Sequence, residues 1–197
     1  MIFLCENCEN LIEMKKILLL AAMSLCGMSV YSQNTVEPEF IGECMVLKND
    51  QSTVLLEKHM TQTRSAMNAG MIITGFGSMK SKLQIEGCCS ATKLKPGEDI
   101  QFIVRAVDNN TDPMAIIKIF EFDSNKKFRR AELASVNSFG TTKTNKLHYL
   151  NFSGKKYGQS SYLITLKDKQ PGEYGITVTN PNSLDEKSTI IATFSIL

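Results

Sequence analysis

The chain has 197 residues, 43% hydrophobic and 21% charged, and 22 Lys and Arg against 20 Asp and Glu leave a formal net charge of +2. So small a charge gives no electrostatic footprint for nucleic acid or an anionic membrane surface, and 12 Gly with 5 Pro rule out collagen-like and low-complexity chains. No apolar run reaches the roughly 20 residues that a membrane-spanning helix needs.

Met14-Lys15-Lys16 opens a cationic start, Ile17 to Val30 supply a short apolar core, and Val30-Tyr31-Ser32 precede Gln33. This order is that of a secretory signal peptide over residues 14–32, cut after Ser32, with small side chains at Val30 and Ser32. Residues 1–13 put Glu6, Glu9 and Glu13 where a signal needs positive charge, so they read as a mis-called N-terminal extension with Met14 as the true start. Lipidation at Cys26 is the competing reading, and it is weakened by the bulky Leu25 just before it. Residues 33–42 are then expected to be a linker and 43–197 a single domain in the periplasm, at the cell surface or outside the cell.

Export removes Cys5, Cys8 and Cys26 and leaves Cys44, Cys88 and Cys89 in an oxidising compartment. Neighbours on a strand point to opposite faces, so a disulfide from Cys44 would take Cys88 or Cys89 and leave the other as a thiol. No C-x-x-C spacing points to a metal.

The rest is a procession of short apolar runs between turns. Glu43–Lys48 and Thr53–His59 flank Asn49-Asp50-Gln51-Ser52, a hairpin signal. Thr61–Gly70 lacks alternation and reads as a short helix or a loop, and Gly75-Phe76-Gly77-Ser78 as a glycine-rich bend without the strand and helix of a phosphate cradle. Lys82–Glu86 alternates, Ile100–Arg105 follows a Pro-Gly turn, and Ala115–Phe122 is apolar on both faces, as a central strand is. Further strands are expected at Phe128–Val136, Leu147–Phe152, Tyr162–Leu166, Tyr174–Val178 and Thr189–Ile196. Pro96-Gly97 and Pro171-Gly172 each suggest a type II turn with glycine at positive φ. The pattern predicts an all-β, two-sheet antiparallel sandwich, immunoglobulin-like or jelly-roll-like, of about eight to ten strands. Its core should hold Ile85, Phe102, Val104, Ile117, Ile119, Phe120, Ile164, Ile176 and Phe194.

Chemistry-bearing constellations are sparse. Asp108-Asn109-Asn110-Thr111-Asp112 opens like a calcium loop, but Pro113 and Ile119 stand where the loop needs Gly and a bidentate acid. His59 and His148 are the only histidines, and no G-x-S-x-G nucleophile elbow accompanies them. Trp is absent, and alternation places Tyr162 and Tyr174 with the core, which weakens a sugar-stacking platform. Lys126, Lys127, Arg129 and Arg130 form no single stripe and read as a charged, protected sheet edge. The loop Ser153–Ser160 offers Lys155, Lys156 and Tyr157, a mixture suited to an acidic protein or glycan surface.

Three segments, Lys82–Gly87, Thr111-Asp112-Pro113 before a long apolar strand, and Pro171-Gly172-Glu173-Tyr174, resemble uncharacterised exported bacterial β-sandwich proteins. The signal itself, MKKILLL with Gln after the cut, is similar to those of Bacteroidota-type bacteria. The resemblance implies fold and export and carries no activity, cofactor or site residue. The expected function is a non-catalytic binding or structural module of the cell envelope, with no metal or cofactor and an unidentified envelope protein or glycan as partner. The rival is a secreted hydrolase or carbohydrate-binding protein.

Overall fold

A computed structural model describes residues 35–67, 78–97, 99–137, 141–144, 147–180 and 188–197. The expected signal peptide, Cys26 and the bend at Gly75–Gly77 lie outside the described residues. Fourteen strands and one short helix are found among the described residues: β1 (Cys44–Leu47), β2 (Thr53–Leu55), β3 (Glu57–Gln62), β4 (Arg64–Met67), β5 (Ser78–Glu86), β6 (Lys93–Leu94), β7 (Gln101–Arg105), α1 (Pro113–Ile116), β8 (Ile117–Ser124), β9 (Phe128–Asn137), β10 (Thr142–Thr144), β11 (Phe152–Tyr157), β12 (Ser161–Leu166), β13 (Gly172–Val178) and β14 (Ser188–Ile196).

They build a two-sheet antiparallel β-sandwich. One sheet runs β11-β12-β7-β1-β2; the other runs β3-β14-β13-β8-β9-β5-β4, with β10 on β9 and the short parallel β6 on β14. Only Asp123↔Arg130 and Ser124↔Arg129 join β8 to β9, and beyond that hairpin the second sheet curls into a half-barrel that brings β3 against β5.

Strand alternation divides the apolar residues between two cores. Between the sheets, Phe102, Val104 and Ile164 meet Ile117, Ile119, Ile176 and Phe194, with the Phe102 and Phe194 rings 4.7 Å apart. On the opposite face of β8, Phe120 and Phe122 pack inside the curl with Leu83, Ile85, Ala131 and Ile191. β8 thus buries apolar residues on both faces, as the run Ala115–Phe122 predicts, although Lys118 is exposed, and all nine expected core residues are buried.

Several local expectations fail for identifiable reasons. Thr53–His59 is not one strand: buried Leu56 donates its N–H to Cys44 O and marks the point where the chain leaves one sheet for the other. Thr61–Gly70 begins as strand in β3 and β4, and its remainder lies outside the described residues. The strand expected from Ala115 starts at Ile117, because Asp112 Oδ1 accepts from Met114 N at 2.8 Å and caps a helical turn opened by Pro113. Leu147–Phe152 keeps only a bridge from Tyr149 to Phe120, and β11 begins where that run ends.

Neither Gly97 nor Gly172 has positive φ, so the expected type II turns are not formed. Gly172 answers a different need: a Cβ there would lie 3.0 Å from the Tyr174 hydroxyl, which donates to Gln170 O at 2.7 Å. The stretch expected to be a linker includes Glu37, whose carboxylate accepts from Gln159 N at 2.7 Å, Ser160 N at 3.2 Å and Ser161 Oγ at 2.6 Å. It also pairs with Arg105 at 3.2 Å, so this residue is tied into the domain.

Candidate functional site

The β11–β12 hairpin turns at Gly158, whose φ of +56° and contact with the Glu37 carboxylate both exclude a side chain. Asn109 Nδ2 reaches Gly158 O at 3.3 Å and Ser161 O at 3.4 Å, so the loop before α1 is fastened to the same turn. At Gly154 the backbone of β11 approaches α1 so closely that a Cβ would lie 2.7 Å from Pro113 Cγ. These ties hold β11 beside α1 and leave a groove between them.

The groove consists of two adjoining hollows that share Met114 and Phe152. One, about 390 Å³, is lined by Ile117, Ile119, Tyr149 and Leu150 as well. The other, about 610 Å³, is lined by Asp112, Lys155, Lys156 and Lys167 among others, with Lys156 Nζ 3.2 Å from Asn110 Oδ1. Met114 is 63% exposed and lines both hollows. β11 is an edge strand, paired only with β12 among the described residues. Its other row of N–H and C=O groups therefore has no strand partner among the described residues.

Lys155 and Lys156 thus line one hollow, whereas Tyr157 does not. All three lie on an edge strand, which corrects the expectation of a loop over Ser153–Ser160. The sequence missed Met114, because its exposure depends on how α1 and β11 meet.

The expected bridge from Cys44 to Cys88 or Cys89 is also corrected. Cys88 and Cys89 are bonded to each other, and Cys44 is a free thiol. Cys44 is buried in the β1–β7 sheet, pairs opposite Val104, and has its thiol pKa pushed up by that burial, with the Glu43 charge adding to it. The other two follow β5 of the second sheet, where Cys89 is exposed.

Arg129 overturns the reading of the basic cluster as a protected edge, since β9 lies between β8 and β5. Its side chain is 2% exposed and turned into one end of the curl. Nη1 donates to Ser90 Oγ at 2.7 Å, Thr193 Oγ1 at 3.0 Å and Glu57 Oε1 at 3.3 Å, and lies 3.9 Å from Glu173 Oε2. Nη2 stands 3.5 Å from His59 Nε2, and Nε has no partner among the described residues. Burial raises the Glu57 carboxyl, but hydrogen bonds led by Thr193 and the Arg129 charge outweigh it and hold the pKa below its ordinary value.

A smaller hollow of about 150 Å³ holds His148 with Glu121, Asp123 and Glu132. His148 Nδ1 is 2.7 Å from Glu121 Oε2, and the histidine side chain is 80% exposed. The Asp108–Asp112 turn uses its carboxylates locally, Asp108 Oδ1 accepting from Asn110 N at 2.8 Å and Asp112 capping α1. Among the described residues no three His, Cys, Asp or Glu side chains gather as metal ligands, and no helix is long and apolar enough to cross a membrane. No protein-family model and no curated protein matches the chain.

Proposed function

We propose that the chain is an exported, non-catalytic binding module of the cell envelope that takes an acidic, extended protein segment in the groove between α1 and β11. The observation that carries this reading is an edge strand, β11, lining a groove that combines apolar side chains with four lysines, Lys118, Lys155, Lys156 and Lys167. A strand edge supplies backbone hydrogen bonds to any extended peptide, and the flanking side chains select among them. Lys155, Lys156 and Lys167 favour carboxylates, while the hollow around Met114 and Tyr149 takes apolar side chains.

The test is titration of a labelled peptide of alternating Glu and Val against wild-type protein and against Lys155→Ala with Lys156→Ala. Saturable binding that weakens severalfold in the double variant and at high salt supports the reading. Absence of binding, binding indifferent to both lysines, or selective binding of an acidic polysaccharide such as alginate overturns it.

A second reading, a hydrolase, has a specific observation behind it: the hollow where His148 meets Glu121 and other acids. Against it stand a volume of about 150 Å³ and a solvent-facing histidine, where substrate pockets usually measure roughly 300–1,000 Å³. Hydrolysis of ester or glycoside substrates that disappears in His148→Ala would establish this reading instead.

A further inference from the structure

We propose that the Cys88–Cys89 disulfide is a redox latch on the mouth of the curled sheet, opened by a dithiol reductant, and that Ser90 transmits its state to the Arg129 network. The inference is independent of the groove beside β11.

The segment after β5 is fastened at close intervals. Gly87, at φ +87°, donates its N–H to Lys127 O at 2.8 Å. Cys88 O accepts from Ser124 Oγ at 2.5 Å, and Thr92 O accepts from Ser195 N at 2.9 Å. Between these ties sits Ser90, 2% exposed, whose N–H and hydroxyl both donate to Glu173 Oε2, at 2.8 and 2.7 Å. The same hydroxyl oxygen accepts from Arg129 Nη1 at 2.7 Å. One residue therefore joins the buried cation to its carboxylate, and the residue just before it is half of the disulfide.

A bond between adjacent cysteines closes a small ring that removes most torsional freedom from the two residues. That constraint is what delivers Ser90 to a fixed position. Cys89 and Glu173 also line one open hollow of about 320 Å³ together with Phe122, Ser195 and Leu197, so a change at Cys89 alters the wall that Glu173 shares.

Residue exposure favours attack at Cys89. Cys89 is exposed and Cys88 only partly so. A reductant thiolate attacks Cys89 Sγ, the Cys88–Cys89 bond breaks, and Cys88 leaves as a thiolate that takes up a proton. The reductant's second thiolate then attacks its own sulfur in the mixed disulfide and releases Cys89, which is protonated in turn. Two electrons and two protons enter the protein, and the dithiol becomes a disulfide. Cys44 cannot intercept the reaction, because it is buried in the other sheet with its thiol held protonated.

The experiment compares the full chain before and after dithiothreitol by iodoacetamide labelling and amide hydrogen exchange, both located by mass spectrometry. Cys88 and Cys89 are expected to alkylate only after reduction. Exchange over residues 88–92 should then quicken roughly five- to tenfold, the scale set by the closure entropy of a small loop, and return to its starting rate on reoxidation. Reduction should lower the melting temperature of wild type, and that of Ser90→Ala by clearly less, because only the closure entropy of the small ring is then lost. Labelling of both cysteines without reductant, unchanged exchange after reduction, or an equal melting shift in Ser90→Ala overturns the proposal.

Discussion

Arg129→Met tests whether the ion network at the end of the curl stabilises the fold or only fills it. The substitution keeps a long unbranched side chain in the cavity and removes four hydrogen bonds, to Ser90, Thr193, Glu57 and His59. Removing one partner from a buried pair costs about 3–5 kcal/mol, because the other is left desolvated. Two features lower that figure here. Glu57 is 29% exposed and recovers water, while Glu173 keeps both donors from Ser90. Arg129 also buries an Nε that has no partner among the described residues, and losing that defect returns part of a penalty of about 1–3 kcal/mol. The balance is a loss of about 2–3 kcal/mol, a drop in melting temperature of about 5–10 °C for a domain of this size. Urea denaturation should show a lower midpoint with an unchanged slope. Adding Glu57→Gln and Glu173→Gln to Arg129→Met should recover about 1 kcal/mol by removing the stranded charge. An Arg129→Met protein as stable as wild type would refute the argument and show that the network contributes no net stability.

Gly175→Ala should destabilise by about 1–3 kcal/mol through overpacking, since its Cβ would meet Ile191 Cγ2 at 2.8 Å and Phe122 Cε2 at 2.9 Å; thermal melting checks this. Removing residues 188–197 should abolish cooperative unfolding, because β14 joins β3 to β13 and buries Ile191, Phe194 and Ile196; calorimetry of the truncated chain decides it.

The fold was legible because alternation is a local signal. β8, β13 and β14 show their buried positions in sequence, and Pro and Gly mark the gaps between strands. The candidate site was only half legible. Lys155 and Lys156 stood out as a polar pair, yet a run of polar residues reads as loop, and only pairing with β12 makes it a strand. Arg129 was misread for a related reason: charge suggested solvent, although Ala131 and Leu133, two and four residues on, lie on the same inward face. That alternation was the available signal. The Cys88–Cys89 bond could not be reached by assigning opposite strand faces, because the pair lies beyond the end of β5 and strand geometry no longer applies.

Glu37 links the upstream segment to the groove, and its protonation gives a prediction with a definite sign. Burial raises its carboxyl pKa, but the hydrogen bonds from Ser161, Gln159 and Ser160 and the Arg105 charge outweigh that effect, so it lies below the ordinary 4.5. A depressed carboxyl pKa contributes stability above the unfolded value, and the contribution is lost as pH falls through the folded value. Glu37→Gln keeps the shape and removes the charge facing Arg105, but accepts at one position only, so it also loses either the Gln159 bond or those from Ser160 and Ser161. At neutral pH it should cost about 1–2 kcal/mol, the lower part of the range for charge-assisted hydrogen bonds, because the site adjoins solvent. As pH drops below 4.5, wild type should lose this increment and the two curves should converge, while the variant's own acid sensitivity falls. Glu43 and Glu57 are depressed as well, so wild type and variant both weaken in acid, and the difference between them isolates Glu37. Urea midpoints at several pH values measure it. A gap between wild type and Glu37→Gln that stays constant from neutral pH into the acid range would mean that the charge of Glu37 contributes nothing, and that the hairpin beside the groove is held by shape alone.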